Sequence, residues 1–173
     1  MPQNVTLRIF QPTDDLVALT ELLHAAYRPM AERGLHFTAT HQTPEVTAQR
    51  ISHGTCFVAE LDGRFIGTIT VEPARADYSL PLYREPGLFH FKQFSVHPDF
   101  KGRGLGRRLH AEMFEYARSQ GGTIMALDTA APATELIAMY QRWGYVEVGR
   151  TKWPEVNYES VLIMKSLGLE CKP

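Results

Sequence analysis

The sequence is poor in cysteine, in long apolar runs and in net charge, and each shortage argues against a class of protein. Only two cysteines, Cys56 and Cys171, occur among 173 residues, too few for a disulfide framework or a cysteine-based metal cluster. No apolar run approaches the length of about 20 residues that a membrane-spanning helix needs. The N-terminal MPQNVTLRIF lacks the charged and apolar regions of a signal peptide. These features predict a soluble protein of the cytoplasm.

Charge is balanced over the chain as a whole but concentrated in one segment. The formal net charge of −1 argues against nucleic acid or a membrane surface as a partner. Seven histidines occur, but without an HExxH pattern or another ligand-like spacing, so we expect no metal. Against this background, four cations lie within eight residues: Lys101, Arg103, Arg107 and Arg108. We therefore expect a small anionic ligand at this segment.

Capping residues predict two helices in the first third of the chain. Thr13 and Asp14 supply side-chain oxygens ahead of a helix that we expect to end near Tyr27. Thr43 followed by Pro44 is typical of the start of a second, shorter helix. The intervening stretch RPMAERGLHFTATHQ has no clear period, which predicts an irregular segment.

The rest of the chain alternates strands and helices. Asp62-Gly63 predicts a tight hairpin between TCFVAE and RFIGTITVE, and a loop at 73–87 precedes the strand LFHFKQFSV. An amphipathic helix follows and stops at Gly121-Gly122, before the apolar strand TIMALDT. A helix over 133–143 and the strands VEVGR and NYESVLIM complete the chain. With a first strand at residues 5–9, the order β-α-α-β-β-β-α-β-α-β-β predicts one α/β domain with a mixed sheet over residues 1–173.

The segment FKGRGLGRRL, residues 100–109, carries a glycine at every second position from 102 to 106, beside cationic residues. Glycines let successive backbone N–H groups turn towards one point, and the following helix directs the positive end of its dipole there. Arg103 and Arg107 can add charge-assisted hydrogen bonds. The spacing fits neither the Walker A motif nor the dinucleotide fingerprint GxGxxG. We predict a pyrophosphate site of a different kind.

These residues carry a resemblance to a known family. FSVHPDFKGRGLGRRL resembles the acyl-CoA signature of the GNAT superfamily of N-acetyltransferases: a strand ending in valine, a proline-containing turn, and Arg/Gln-x-x-Gly-x-Gly/Ala opening a helix. Lys101 takes the first signature position, where the family usually has Gln or Arg. The block APATELIAMYQRWGYVEVG is similar to a second family motif, with Tyr140 and Gly144-Tyr145 at matching places. Ala133 replaces an asparagine often found there. The element order also matches, so the resemblance covers nearly the whole chain.

The resemblance implies a mixed, mostly antiparallel central sheet flanked by helices, and an N-acetyltransferase that uses acetyl-CoA. The acetyl group would move to a primary amine by direct attack in a ternary complex, without a metal. The implied cofactor-binding residues are the strand residues Phe94, Ser95 and Val96, whose backbone would pair with the pantetheine arm, and the loop residues Lys101, Gly102, Arg103, Gly104, Leu105, Gly106 and Arg107.

Three residues are candidates for proton transfer. The resemblance implies that Tyr140 donates a proton to the departing thiolate. For the base, His90 and Glu72 both remain candidates, acting through water. In a regular strand His90 shares one face with Phe94 and Val96, although a bulge would change that face. A histidine with the unperturbed pKa of roughly 6.5 can accept a proton at neutral pH.

The sequence leaves the acceptor open. It could be a small-molecule amine, an aminoglycoside-like drug, a polyamine or a protein amino group, bound by the variable segments 28–42, 73–87 and 152–158. The oligomeric state, monomer or homodimer, is also undecided. An alternative from another class is a catalytically silent acyl-CoA-binding or sensor domain on the same fold.

Overall fold

The computed structural model describes residues 4–168. The strands are β1 (Thr6–Ile9), β2 (Thr55–Leu61), β3 (Arg64–Pro73), β4 (Leu88–Val96), β5 (Ile124–Ala130), β6 (Val146–Thr151) and β7 (Ser160–Ser166). The α-helices are α1 (Leu16–Glu32), α2 (Pro44–Ile51), α3 (Leu105–Ser119) and α4 (Thr134–Arg142). Short 3₁₀ helices occur at Thr38–Thr40, Pro81–Arg84 and Pro98–Phe100. The predicted order of strands and α-helices is confirmed.

The strands form a seven-stranded sheet in the order β1-β2-β3-β4-β5-β7-β6. The pairs β1–β2, β2–β3, β5–β7 and β6–β7 are antiparallel. The β4–β5 pair is parallel, with Leu88 to His90 opposite Ile124 to Ala126, and α3 supplies the crossover between these two strands. The fold class is therefore confirmed as a mixed, mostly antiparallel α/β sheet flanked by helices.

The described residues form two compact units. Unit 1 comprises residues 4–71 and 92–113, and unit 2 comprises residues 72–91 and 114–168. Fully buried side chains of unit 1 include Leu19, Leu23, Val58, Ile69 and Leu109. Those of unit 2 include Leu88, Met125, Tyr145, Ile163 and Leu167. That residues 1–173 act as a single domain stays a prediction.

The start of α1 differs from the prediction. Asp15, and neither Thr13 nor Asp14, is the N-cap, and its side chain accepts a 3.0 Å hydrogen bond from the N–H of Ala18. Asp14 is engaged elsewhere, since its carboxylate pairs with the guanidinium of Arg8 at 2.6 Å. This ion pair holds the pKa of Asp14 below its ordinary value, chiefly through the hydrogen bond from Arg8.

The end of α1 also differs, because the helix continues past Tyr27 to Glu32. Pro29 lies inside it, where the missing N–H removes one possible hydrogen bond without ending the helix. The chain leaves the helix at Gly34, whose φ is 77°. There the N–H groups of residues 34 and 35 donate to the carbonyls of residues 31 and 30, at 2.9 and 3.0 Å, in the pattern of a Schellman motif.

Local signals elsewhere are confirmed. Thr43 caps α2 and accepts a hydrogen bond from the N–H of Val46. Asp62 and Gly63, with φ of 50° and 76°, form the turn between β2 and β3, as a hairpin of this type requires. Both predictions rest on residues adjacent in sequence, so they needed no knowledge of distant contacts.

The strand β6 ends the sheet order and is irregular. Its register against β7 shifts between Glu147 and Gly149, and Val146 and Val148 are exposed. Arg150 on the same strand pairs with Glu147 at 3.2 Å and with Glu159 at 2.8 Å. This border of the sheet therefore combines a bulge with a row of charges.

Every helix within residues 4–168 is too short or too polar to cross a membrane. Cys56 is buried with a free thiol, and burial raises its pKa. Cys171 lies outside the described residues. The cytoplasmic location stays a prediction, and the oligomeric state stays open.

Candidate functional site

Residues 101–104 form an exposed cationic turn in unit 1. Gly102 and Gly104 have φ angles of 73° and 77°, in the left-handed region that glycine adopts without strain. A Cβ at Gly102 would have no heavy atom within 4 Å. The side chains exposed around the turn are Lys101, Arg103, Arg107 and Arg108. The backbone of the turn and its cationic side chains are thus both exposed to solvent, as an anion-binding site made of backbone N–H groups requires.

The helix α3 begins directly after this turn. Leu105 and Leu109, one helical turn apart, are both buried and anchor the start of the helix in unit 1. The N–H of Arg108 donates to the carbonyl of Gly104 at 3.1 Å, the first bond of the helical ladder. The N–H groups before it have no partner within the helix and point back towards the cationic turn. The helix dipole adds partial positive charge at the same place.

The first turn of α3 packs closely on β4. A Cβ at Gly106 would lie 3.2 Å from Cζ of Phe94 and 3.6 Å from Cγ2 of Val96. The contact therefore leaves little room for a larger residue at this position. It brings the glycine turn and the strand residues 94–96 together within unit 1.

The backbone of β4 is irregular at Gln93, which has a φ of 53°, rare for a residue other than glycine. On either side of it, His90 is buried, whereas Phe94 and Val96 are partly exposed. The positive φ at Gln93 departs from the regular strand geometry on which the shared face of these residues was predicted. Ser95, between the partly exposed residues Phe94 and Val96, is buried.

A side chain of α1 fixes the same strand. The hydroxyl of Tyr27 donates a 3.0 Å hydrogen bond to the carbonyl of Phe94. The ring of Tyr27 packs against Phe37 with centroids 5.4 Å apart. Just beyond, the N–H of His97 donates to the carbonyl of Ile66 at 2.9 Å. The backbone at residues 94–97 is thus held before the glycine turn begins.

Tyr140 lies in unit 2, in the last turn of α4, and is buried. Its ring has three aromatic neighbours at centroid distances of 5.9 Å: Phe91, Trp143 and Tyr145. Gly144, with a φ of 87°, ends the helix and lets the N–H of Tyr145 donate to the Tyr140 carbonyl at 3.1 Å. The Tyr140 ring is therefore fixed by packing on three sides.

A lysine supports the end of α4. The Nζ of Lys165 on β7 donates to the carbonyl of Trp143 at 2.7 Å and lies 5.1 Å from the ring centre of Phe114. A cation at the C-terminus of a helix offsets the negative end of its dipole. The lysine thus stabilises the turn that carries Tyr140.

The two candidate bases lie together in unit 2. Glu72 and His90 are 0% and 3% exposed, and Glu72 Oε2 lies 3.5 Å from His90 Nε2. The hydroxyl of Tyr78, in the segment 73–87, is hydrogen-bonded to Glu72 Oε2 and lies 2.9 Å from His90 Nε2. The sequence did not indicate Tyr78, because it lies in a loop without period, 12 residues from His90.

Asp128 connects two of the variable segments of unit 2. Its carboxylate accepts a 3.2 Å hydrogen bond from Tyr83 of segment 73–87 and a 2.9 Å bond from Nε1 of Trp153, in segment 152–158. The rings of Tyr83 and Trp153 are stacked at 6.4 Å. Sequence reasoning missed this residue too, although a lone carboxylate inside the apolar strand TIMALDT was a usable signal.

Burial and neighbouring carboxylates suppress the ionisation of the tyrosines in this region. The pKa of Tyr78 is raised by burial and then by its hydrogen bond to Glu72. The pKa of Tyr83 is raised well above its ordinary value by burial and by Asp128. Burial also raises the pKa of Tyr145. These phenols therefore stay protonated at neutral pH.

The predicted site residues thus fall into separate groups. Unit 1 brings the strand residues 94–96 together with the turn at 101–107. Unit 2 brings Glu72 and His90 together, and it holds Tyr140 in an aromatic cluster. Within residues 4–168, no group of three or more His, Cys, Asp or Glu is arranged to hold a metal ion.

Comparison with known proteins identifies similar sequences. A sequence model described as the acetyltransferase (GNAT) family matches residues 16–145, which span parts of both units. The chain is 33% identical to an S-(2-succino)cysteine N-acetyltransferase of Bacillus subtilis, over 78% of this chain and 81% of that protein. It is 26% identical to an S-alkylcysteine N-acetyltransferase of the same organism, over 76% of this chain and 74% of that protein.

Solved structures give the same fold. A Salmonella typhimurium protein crystallised with its cofactor acetyl-CoA superimposes with a TM-score of 0.71. The superposition covers 99% of this chain and 98% of that one, at 18% sequence identity. At this identity the likeness concerns the fold alone.

Proposed function

Because the chain belongs to the GNAT family of acetyltransferases, we propose that it transfers an acetyl group from acetyl-CoA to the amino group of an S-substituted cysteine. The proposed class of acceptor rests on the 33% identity, over 78% of this chain, to an enzyme named for S-(2-succino)cysteine. A second relative, named for S-alkylcysteine, supports the same class. Both names describe an α-amino acid with a substituted sulfur.

The residues of unit 1 fit the donor. The turn at 101–107 offers exposed backbone N–H groups, four cationic side chains and a helix N-terminus to a pyrophosphate. Lys101, in the signature position usually taken by Gln or Arg, offers a point charge in place of a planar donor. The partly exposed strand residues Phe94 and Val96 would pair through their backbone with the pantetheine arm.

Acetyl-CoA supplies an activated thioester, and the chain must orient it and stabilise the charge that develops on the carbonyl oxygen. A backbone N–H at Phe94 or Ser95 is the proposed donor to that oxygen. The hydrogen bond from Tyr27 to the Phe94 carbonyl supports this role, because it fixes the peptide plane next to the donor. A donor held in place before the reaction lowers the barrier without reorganisation during it.

Tyr140 is the proposed proton donor to the departing thiolate. Its ring is fixed by Phe91, Trp143 and Tyr145, so that its hydroxyl has a defined direction. A thiol has a pKa of roughly 8.5, so a proton donor assists its departure. Proton transfer by such a group contributes typically about 10²–10⁴-fold to the rate.

The acceptor amine must lose a proton before it attacks, since aliphatic amines are largely protonated at neutral pH. The pair Glu72 and His90 is the proposed base. The geometry supports the role, because the two side chains lie 3.5 Å apart and both face the hydroxyl of Tyr78.

The test is an acceptor panel that follows release of free coenzyme A thiol from acetyl-CoA. It contains S-(2-succino)cysteine, an S-alkylcysteine, a polyamine, an aminoglycoside and a peptide with a free N-terminus. N-Acetylated versions of the two cysteine derivatives, which lack the amine, are the matched controls. We expect the two S-substituted cysteines to give the highest kcat/KM and their N-acetylated forms to give no release.

Two results would overturn the proposal in different ways. A preference for the polyamine, the aminoglycoside or the peptide would contradict the proposed class of acceptor, but it would agree with the proposed acetyl transfer. Tight binding of acetyl-CoA without release in the presence of any acceptor would instead identify a catalytically silent binding domain.

A further inference from the structure

Two polar side chains of unit 2 converge on the hydroxyl of a third residue. Tyr78 is hydrogen-bonded through its hydroxyl to Glu72 Oε2, and the same oxygen lies 2.9 Å from His90 Nε2. Glu72 and His90 are buried, whereas Tyr78 is partly exposed and lies in the variable segment 73–87. We call these three residues the trio. Tyr78 is its link to the surface.

Ring contacts fix the geometry of the trio. The imidazole of His90 stacks on the ring of Tyr83 at 4.3 Å with an interplanar angle of 14°. The ring of Tyr78 stands edge-on to both, at 4.9 Å from His90 and 5.6 Å from Tyr83. Since both rings are held, the hydroxyl and Nε2 have little freedom to separate.

Charged and titratable groups surround the trio. The guanidinium of Arg75 lies 5.1 Å from the ring centre of Tyr78 and pairs with Asp77 at 2.7 Å. The Asp128 carboxylate accepts a 3.2 Å hydrogen bond from the hydroxyl of Tyr83. Arg75 thus places positive charge beside Tyr78, and Asp128 places negative charge behind Tyr83.

The hydroxyl of Tyr78 has one hydrogen and two partners. It can donate to the Glu72 carboxylate while its oxygen accepts from Nε2–H of His90, and this arrangement gives a partner to each of the three facing atoms: the hydroxyl, Glu72 Oε2 and His90 Nε2. In it the hydroxyl oxygen retains a lone pair that can accept a further hydrogen bond. Burial and the hydrogen bond to Glu72 raise the pKa of Tyr78 and so disfavour a phenolate, which favours loss of its proton together with gain of another.

We propose that Tyr78 carries the proton from the acceptor ammonium to Glu72, with His90 holding the hydroxyl in line. In this step one N–H bond of the ammonium breaks and an O–H bond forms on Tyr78. At the same time the original O–H bond of Tyr78 breaks and an O–H bond forms on Glu72. The ammonium becomes a neutral amine, the carboxylate becomes a carboxylic acid, and Tyr78 keeps one proton throughout.

The inference rests on the proposed function, and it deepens it by naming the residue that meets the acceptor. It also explains how two buried groups can serve as a base for an amine that arrives from solvent. Neither Glu72, 0% exposed, nor His90, 3% exposed, offers a surface to such an amine. Tyr78 is the member of the trio that does.

The first test is the pH dependence of kcat/KM in Tyr78→Phe, which keeps the ring contacts and removes the hydroxyl. At pH 7 we expect a loss on the order of 10²-fold, typical of general base catalysis. The loss should shrink as the pH approaches the pKa of the acceptor amine, because the amine then arrives without its extra proton. Tyr116→Phe, which removes a hydroxyl from α3, is the matched control and should keep the wild-type profile.

A structural role for the hydroxyl gives a different result. It would change KM or lower kcat/KM by the same factor at every pH, and either outcome with an active wild type overturns the relay. If the wild type acetylates no acceptor, the proposed function itself fails.

The second test needs no turnover. In ¹⁵N NMR spectra of the resting wild-type protein at neutral pH, we expect His90 to carry a proton on Nε2. A His90 protonated on Nδ1 alone would mean that Tyr78 donates to His90, so that its proton is not directed to Glu72, and would overturn the proposal. In Tyr78→Phe the Nε2 resonance should move; an unchanged resonance would show that the hydroxyl does not bridge the pair.

Discussion

The hydroxyl of Tyr27 donates a 3.0 Å hydrogen bond to the carbonyl oxygen of Phe94. The bond joins α1 to the strand that precedes the glycine turn, 67 residues further along the chain. It fixes the main-chain carbonyl of Phe94 in β4 to a helix that lies early in the sequence. In the proposed reaction, this is the strand that receives the acyl donor.

We expect Tyr27→Phe to weaken acetyl-CoA binding a few-fold, and at most about tenfold. A typical hydrogen bond contributes a net of about 0.5–1.5 kcal/mol, and its loss would free the Phe94 carbonyl to move. Isothermal titration calorimetry measures the change. Tyr116→Phe should bind as the wild type does, and equal affinity for Tyr27→Phe would mean that the strand is fixed without this bond.

We expect Gly104→Glu to abolish acetyl-CoA binding. The substitution adds a negative charge and a side chain to the turn that is proposed to hold a pyrophosphate. Gly63→Glu is a matched control, because Gly63 is also exposed and has a nearly equal φ of 76° against 77°. Both variants therefore introduce similar backbone strain. Loss of acetyl-CoA binding in both variants would point to misfolding. Retained binding in a folded Gly104→Glu variant would contradict the proposed pyrophosphate site.

We expect Tyr140→Phe to lower kcat by about 10²-fold or more and to leave acetyl-CoA affinity unchanged. The ring remains in its aromatic cluster, and only the proposed proton donor is lost. Tyr145→Phe removes a hydroxyl from the same cluster, 5.9 Å away between ring centres, and should keep wild-type turnover. Steady-state kinetics with a true acceptor decides the matter. Equal rates for wild type and Tyr140→Phe would show that the hydroxyl is not the proton donor.

We expect the ion pair between Arg8 and Asp14 to contribute to stability in a pH-dependent way. The pKa of Asp14 is lower in the folded protein than its ordinary value of 3.8, because Arg8 stabilises the carboxylate. The contribution is therefore complete above about pH 4 and is lost as the pH falls through the folded-state value. The Tm of the wild type should fall more steeply below pH 4 than that of Asp14→Asn.

Asp62→Asn serves as the control for that measurement, since it removes a carboxylate from an exposed turn. Its Tm should follow the wild-type slope. Parallel slopes for wild type and Asp14→Asn would show that the pair adds nothing to stability in acid.

Features set by neighbouring residues were predictable from the sequence. The cap at Thr43 and the turn at Asp62-Gly63 depend on backbone and side-chain geometry within a few residues, so the local sequence alone indicates them. The glycine turn belongs to the same class. Its φ angles, exposure and position before α3 agree with the reasoning that suggested a phosphate site.

Features set by distant residues were not predictable. Asp14 and Asp15 are equivalent as caps by local rules, and the choice falls to Asp15 because Arg8 engages Asp14. In the same way, the hydroxyl of Tyr78 is positioned by Glu72 and His90, which lie on two other elements. No periodicity in a loop records such contacts. A residue of this kind is found from coordinates and not from a pattern.

The bulged border strand β6 bears on how the protein behaves in concentrated solution. An exposed, regular strand can template the addition of a strand from another molecule, and Val146 and Val148 would favour such growth. The register shift between Glu147 and Gly149 breaks the ladder that an incoming strand would need. Arg150 and its acidic partners set charges along the same rim. Fibrillar aggregation through this border is therefore disfavoured by its shape and its charge, while its valines remain in contact with water.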